Sequence, residues 1–140
     1  MITINYMAVA VCAVLAMVLG FIWYGPLFGK RWMKATGMDT MDPIKQKEMQ
    51  KKSMPLYLVQ FALALFQAFV LAWYVGTLNS ISSGVHTAFS IWLAFIIPTL
   101  ASSVMWTADN GKVKWTKFVL QAGYQLALFF IFGTILGMWM

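Results

Sequence analysis

The chain has 140 residues, 61% hydrophobic, 16% aromatic and only 10% charged, with a formal net charge of +6. A soluble domain carries about a quarter charged residues, so this composition excludes an ordinary water-soluble fold and points to a chain whose solvent is lipid. The one cysteine, Cys12, cannot form an internal disulfide and reads as a small packing residue.

All ten Lys and Arg and all four Asp and Glu fall in two blocks, 30–52 and 109–117. Between and around them lie three uncharged runs, 1–29, 53–108 and 118–140. A spanning helix needs about 20 predominantly apolar residues, so the first and last runs each hold one. The middle run is too long for one helix and contains the turn-rich stretch GTLNSISSGVH (76–86), so it divides into two spans joined by a short hairpin. The expected fold is an all-α integral membrane four-helix bundle, a single domain over 1–140, with spans at about 4–24, 55–77, 86–107 and 117–139.

The first span begins MITINYMAV, with no cation before Lys30. That is unlike a cleaved signal peptide, and the span is expected to stay in the mature protein. It ends in GFIWYGPLFGKRWMK (20–34), where Gly25-Pro26 breaks the helix and Lys30, Arg31 and Lys34 follow. GPLFGKR is one residue short of the phosphate-loop pattern, ends in Arg and follows a helix where a strand is required, so it reads as a membrane exit. Trp23, Tyr24 and Trp32 are expected to anchor it at the interface with those cations, which attract anionic lipid head groups at about 1 kcal/mol each.

Next, 35–54 carries a helix signal: Asp42 as N-cap, Pro43 at the first helical position, and Glu48 four residues before Lys52. The expectation is a short basic cytoplasmic helix on the membrane surface between spans 1 and 2, either a solvated linker or a lipid or partner site.

Cytoplasmic loops carry the Lys/Arg excess. Block 30–52 has Lys30, Arg31, Lys34, Lys45, Lys47, Lys51 and Lys52, and block 109–117 has Lys112, Lys114 and Lys117. The 78–85 hairpin and both ends have none. Both blocks are therefore expected in the cytoplasm of a multi-pass cell-membrane protein, with N- and C-termini outside. The positive charge is a topology signal and calls for no nucleic acid. Trp115 joins the expected inner belt, together with Tyr57 and Trp106; Tyr6, Trp73, Tyr74 and Trp139 form the outer one, and Trp92 alone sits deep.

Small residues recur every fourth position: Ala8, Cys12, Ala16 and Gly20; Ala64, Ala68, Ala72 and Gly76; Ser90, Ala94, Pro98 and Ser102; Gly133 and Gly137. Such ridges let helix backbones approach in lipid, and they serve either the bundle or a homo-oligomer, Gly133 and Gly137 above all.

Near the cytoplasmic ends, Gln60, Ser102 and Gln121 share a depth of roughly 6–8 Å, with Gln67, Ser103, Tyr124 and Gln125 nearby or deeper. They form either a layer of interhelical hydrogen bonds or a cytoplasm-facing pocket for a small solute, since an amide in lipid needs a partner in both cases. Trp23…Gly29-Lys30-Arg31-Trp32 and Trp106…Gly111-Lys112-Val113-Lys114-Trp115 are either the trace of a two-helix repeat or coincidence.

The chain resembles the domain of unknown function 1761 family of small membrane proteins. The resemblance is carried by the Asn-Tyr start, LGFIWYGPLFGKRWMK, a His after the central hairpin, Pro98 and FVLQAGYQLALFFIFGTILGMW. Its most specific parts are Trp23-Tyr24-Gly25-Pro26 with Phe28-Gly29-Lys30 and Trp32, and Ala122-Gly123-Tyr124. It implies a multi-span membrane protein and no particular activity.

No Asp, Glu, Lys or Arg lies inside a span, whereas ion-coupled transporters mark their pathway with such a group. The four-span plan is similar to small multidrug exporters, but no residue matches their membrane-embedded Glu. His86, the one histidine, lies far from Cys12 in the expected topology, and no metal set, nucleophile–base pair or carboxylate dyad assembles, so neither a cofactor nor an enzyme is expected. The favoured reading is a non-catalytic helical bundle, either alone or self-associating; the alternative is a small-solute permease with a cytoplasm-facing polar pocket.

Overall fold

The computed structural model describes residues 2–77 and 81–139, without the side chains of 81–83. The centre of the hairpin expected at 78–85, residues 78–80, lies outside them. The described chain is helical: α1 (Tyr6–Ile22), α2 (Gly29–Thr36), α3 (Pro43–Gly76), α4 (Ile81–Ile91), α5 (Ile97–Met105) and α6 (Gly111–Trp139). A π-turn over Trp23–Leu27 continues α1, and another over Trp92–Ile96 joins α4 to α5. Four helical segments are long and apolar enough to cross a membrane: Tyr6–Leu27, Pro43–Gly76, Gly84–Met105 and Gly111–Trp139.

Neighbouring spans run antiparallel. Asn5 caps α1, its side-chain oxygen accepting from Met7 N at 3.1 Å and Ala8 N at 3.2 Å, while its amide donates to the Trp139 carbonyl at 3.1 Å. The start of α1 thus meets the end of α6. At the opposite end Trp23 meets Leu120, and Phe21 packs against Tyr57 with ring centroids 5.7 Å apart. Both charged blocks therefore lie at one end of the bundle.

α6 is the hub, packing against every other helix. Its large side chains Leu128, Phe132 and Leu136 are fully buried. On one side α1 and α3 approach through Ala8, Cys12 and Ala16 and through Ala64, Ala68 and Ala72, all buried, because ridges of small side chains bring backbones close where lipid supplies no hydrophobic drive. On the other side α4 lies against α6 at Gly84 and Gly133. A Cβ on Gly84 would sit 2.5 Å from the Gly133 carbonyl oxygen, and one on Gly133 would sit 2.8 Å from that of Gly84. Gly133 and Gly137 are consequently covered by α4, so of the two uses open to this ridge the structure shows packing within the bundle. The third ridge fares oppositely: Ser90, Ala94, Pro98 and Ser102 are all exposed. Only 11% of the third span's apolar window is buried, against 44% for α6.

Asp42 caps α3 as expected, accepting from Ile44 N at 3.2 Å with Pro43 in the first turn. The expected separate surface helix is not there. α3 runs unbroken for 34 residues, about 50 Å at 1.5 Å per residue, so its basic first turns project beyond a hydrocarbon core of about 30 Å. Pro55 does not break it, since the one carbonyl it leaves unbonded belongs to exposed Lys51, where water can serve it. Glu48 and Lys52 form no ion pair; the one ion pair among the described residues is Lys117–Asp109, at 2.7 Å. The short basic helix between the first two spans is instead α2, upstream of the stretch the sequence favoured. It ends at Gly37, whose φ of 77° is the left-handed cap that glycine adopts without strain.

Candidate functional site

Pro26 lacks an N–H for the carbonyl of Ile22, and its ring crowds that carbonyl. The chain answers by widening one turn: Phe28 N–H donates to the Trp23 carbonyl at 3.0 Å, five residues back. Pro98 poses the same problem to Ala94, and there Ile97 N–H reaches the Trp92 carbonyl. Each π-turn starts at a tryptophan, and each tryptophan reaches α6. Trp23 Nε1–H donates to the Leu120 carbonyl and Trp92 Nε1–H to the Ala122 carbonyl, both at 3.0 Å. A partly buried indole needs such an acceptor, and in lipid only protein supplies one.

Residues 120–125, LQAGYQ, receive both indoles and also reach back. Gly123 leaves the seat for Trp23: a Cβ there would lie 2.9 Å from the edge of the indole. Buried Tyr124 donates its hydroxyl to the Ala16 carbonyl at 2.9 Å, its oxygen over Gly20. Tyr24 packs on Tyr124, centroids 5.5 Å apart, and Trp32 of α2 packs edge-on against Tyr24 at 5.0 Å. Trp23, Tyr24 and Trp32, expected as anchors at the interface, thus pack against protein here. Lys30, Arg31 and Lys34 are exposed, as are Tyr57, Trp106 and Trp115 at the same end. Trp106, paired with Trp23 in the suggested repeat, is 85% exposed, and Trp92 is the structural counterpart of Trp23.

Beside this junction a cleft of about 510 Å³ opens between α3 and α5, with α1 and α6 as its floor. Gln60 and Tyr57 stand on one wall and Leu100 on the other, and Gln121, Tyr124, Gln125, Tyr24 and Gly20 line the rest. The volume lies within the roughly 300–1,000 Å³ usual for small-molecule sites. No charged side chain lines it. Gln125 Oε1 is buried without a hydrogen-bond partner. In the polar layer expected from sequence, Gln60, Gln121 and Gln125 share this cleft, while Gln67, Ser102 and Ser103 do not line it. Ser102 and Ser103 are exposed, and the Ser103 hydroxyl donates back to the Leu100 carbonyl at 2.8 Å. Their expected depth matches that of the glutamines, but a shared depth does not bring them to the cleft. His86 is exposed near the start of α4, far along the chain from the cleft lining.

Asp109, in the loop before α6, accepts from Lys117 Nζ at 2.7 Å, and this bond holds its carboxyl below the usual aspartate range. Among the described residues no three of His, Cys, Asp and Glu are grouped to hold a metal.

The family described as Protein of unknown function (DUF1761) matches residues 7–137. The chain belongs to this family. No curated protein and no solved structure matches it. The two stretches that carried the DUF1761 resemblance, Trp23–Trp32 and Ala122–Tyr124, meet in space: one supplies an indole and a tyrosine, the other the glycine seat and the tyrosine beneath. Sequence reasoning missed this junction, though one signal was present. Trp92, deep in an apolar span, needed an acceptor for its N–H.

Proposed function

We propose that this DUF1761 protein is a multi-span membrane bundle that takes a small, uncharged, hydrogen-bonding molecule into the amide cleft from the cytoplasmic half of the bilayer. The observation that carries the reading is the gathering of three carboxamides, Gln60, Gln121 and Gln125, around one uncharged cleft, with the buried Gln125 oxygen lacking a hydrogen-bond partner. An unsatisfied buried polar group costs about 1–3 kcal/mol, and a ligand donor would recover that. The tyrosine faces suit a flat apolar portion, and the uncharged lining leaves an ionic ligand without a counter-charge. A bundle that binds nothing is the competing reading, and a permease would need a second opening towards the other face.

Thermal melts of the protein in lipid nanodiscs with rising concentrations of indole, an uncharged ring with one N–H donor, separate these. Wild type should gain stability with indole, as ligand linkage requires, and Gln121→Phe, which fills the cleft, should not. Equal responses of the two proteins, or none in either, would refute the binding reading.

The orientation proposed with it places both termini outside and blocks 30–52 and 109–117 in the cytoplasm, supported by their cations and by their position at one end of the bundle. On a Cys12→Ser background, a cysteine at position 46 should label only after permeabilisation and one at position 80 from outside; the reverse pattern would invert the topology.

A further inference from the structure

The charged end of the bundle is unevenly paired. Lys117 is bound to Asp109, and Lys114 Nζ donates to the Met105 carbonyl at 2.9 Å. Arg31, Lys34 and Lys112 have no ion-pair partner among the described residues, and all three line one cleft of about 740 Å³ between α2 and the first turns of α6. No Asp or Glu lines it. Three like charges gathered around one concavity repel each other unless an anion joins them.

The cleft is also graded. Lys112 lies in the first turn of α6 on the water side of Lys117, the last charge before the uncharged run 118–140. Past that boundary Val119 and Leu120 continue the same lining into apolar depth, and Trp115 stands between at the level where tryptophan favours the interface. A free phosphate would use only the upper half. The molecule that fits both halves has a phosphate head and an acyl tail. Arg31 offers the planar fork that grips phosphate with two hydrogen bonds, and Lys34 and Lys112 add point charges.

We infer that Arg31, Lys34 and Lys112 form a discrete binding site for the phosphate head group of an anionic membrane lipid, with its acyl chain laid against Val119 and Leu120. The inference rests on the membrane placement proposed above and not on the amide cleft, which shares no lining residue with this one and occupies the opposite face of α6. α2 is held over α6 by the packing of Trp32 on Tyr24 and by the glycine at its start, where a Cβ on Gly29 would lie 2.8 Å from the Tyr24 carbonyl oxygen. The site is thus built before the lipid arrives.

The test is native mass spectrometry of the full protein released from phosphatidylcholine membranes doped with phosphatidylglycerol, reading retained lipid per chain. Wild type should keep one phosphatidylglycerol. The triple variant Arg31→Gln, Lys34→Gln, Lys112→Gln should lose about ten-fold or more of that retention, given what each cation contributes near a membrane. A control triple with the same charge loss, Lys45→Gln, Lys47→Gln, Lys51→Gln, should stay close to wild type. Equal losses in both triples would mean diffuse attraction and overturn the site, as would no loss in the first. Displacement of the lipid by millimolar inorganic phosphate would overturn the lipid as occupant. Unchanged thermal melts of both triples in pure phosphatidylcholine show that a selective loss is not unfolding.

Discussion

Trp23 and Trp92 each open a π-turn ahead of a proline, and each donates to α6, at carbonyls two residues apart. Around that shared contact the first and third spans are built differently. The first has α3 along its flank through an unbroken ridge of alanines and Cys12, and Tyr124 ties it again to α6. The third has its small-residue ridge exposed and meets α6 most closely at its far end, through Gly84 and Gly133. The amide cleft arises from this difference. The first span closes against α3 along its ridge, whereas the third packs on α6 and leaves a gap on its other side, here between α3 and α5.

Two glycine substitutions sharpen that contrast. Gly133→Ala should do the most harm, because its new Cβ would meet backbone: the Gly84 carbonyl at 2.8 Å and Val85 Cα at 3.0 Å, besides Ala88 Cβ at 2.9 Å. Backbone cannot yield cheaply, so a loss of about 1–3 kcal/mol is expected, the usual range for overpacking, with α4 pushed off α6. Gly123→Ala meets only the edge of the Trp23 ring at 2.9 Å, and an indole can tilt. Its loss should fall near the lower end, about 1 kcal/mol, and consist mainly of the Trp23–Leu120 hydrogen bond. Thermal melts in one detergent check the order, and a larger loss for Gly123→Ala would reverse the roles assigned to the two contacts.

The smallest expected effect lies outside the spans. Asp109 titrates lower in the fold than in the unfolded chain, first because Lys117 donates to it. Its contribution is therefore complete above the ordinary aspartate range, near pH 4, and is lost as pH falls through its lowered folded value. Melts of wild type and Asp109→Asn should converge as the buffer is taken into that acid window and separate slightly above it. The gap should be small, since both side chains of the pair remain partly exposed to solvent. A gap that widens on acidification would contradict the assigned sign.

Much of the architecture was legible because it depends on quantities that add along the chain. The confinement of every charge to 30–52 and 109–117 fixes four apolar segments whatever their neighbours do, and four helices of spanning length result. The Asp42 cap was legible for the same local reason. What depended on direction around a helix was not. Ser102 lies at the depth of Gln60 and Gln121 but on the exposed side, and depth carries no information about azimuth. Trp23, Tyr24 and Trp32 obey an interface rule in composition, yet turn inward because Gly123 and the Leu120 carbonyl, about a hundred residues away, make room and offer an acceptor. A break at Gly25-Pro26 was visible; that the break widens into a π-turn and carries an indole onto α6 needed the partner helix.

The most direct measurement of that junction is hydrogen exchange of the indole N–H groups by nuclear magnetic resonance in lipid nanodiscs, with Trp23→Phe and Trp92→Phe assigning the signals among the seven tryptophans. Slow exchange is expected for Trp23 and Trp92, donors to α6, and fast exchange for Trp106 and Trp115, which are exposed at the charged end of the bundle. Trp23 and Trp92 exchanging as fast as Trp106 would contradict this, because neither indole would then be docked on α6.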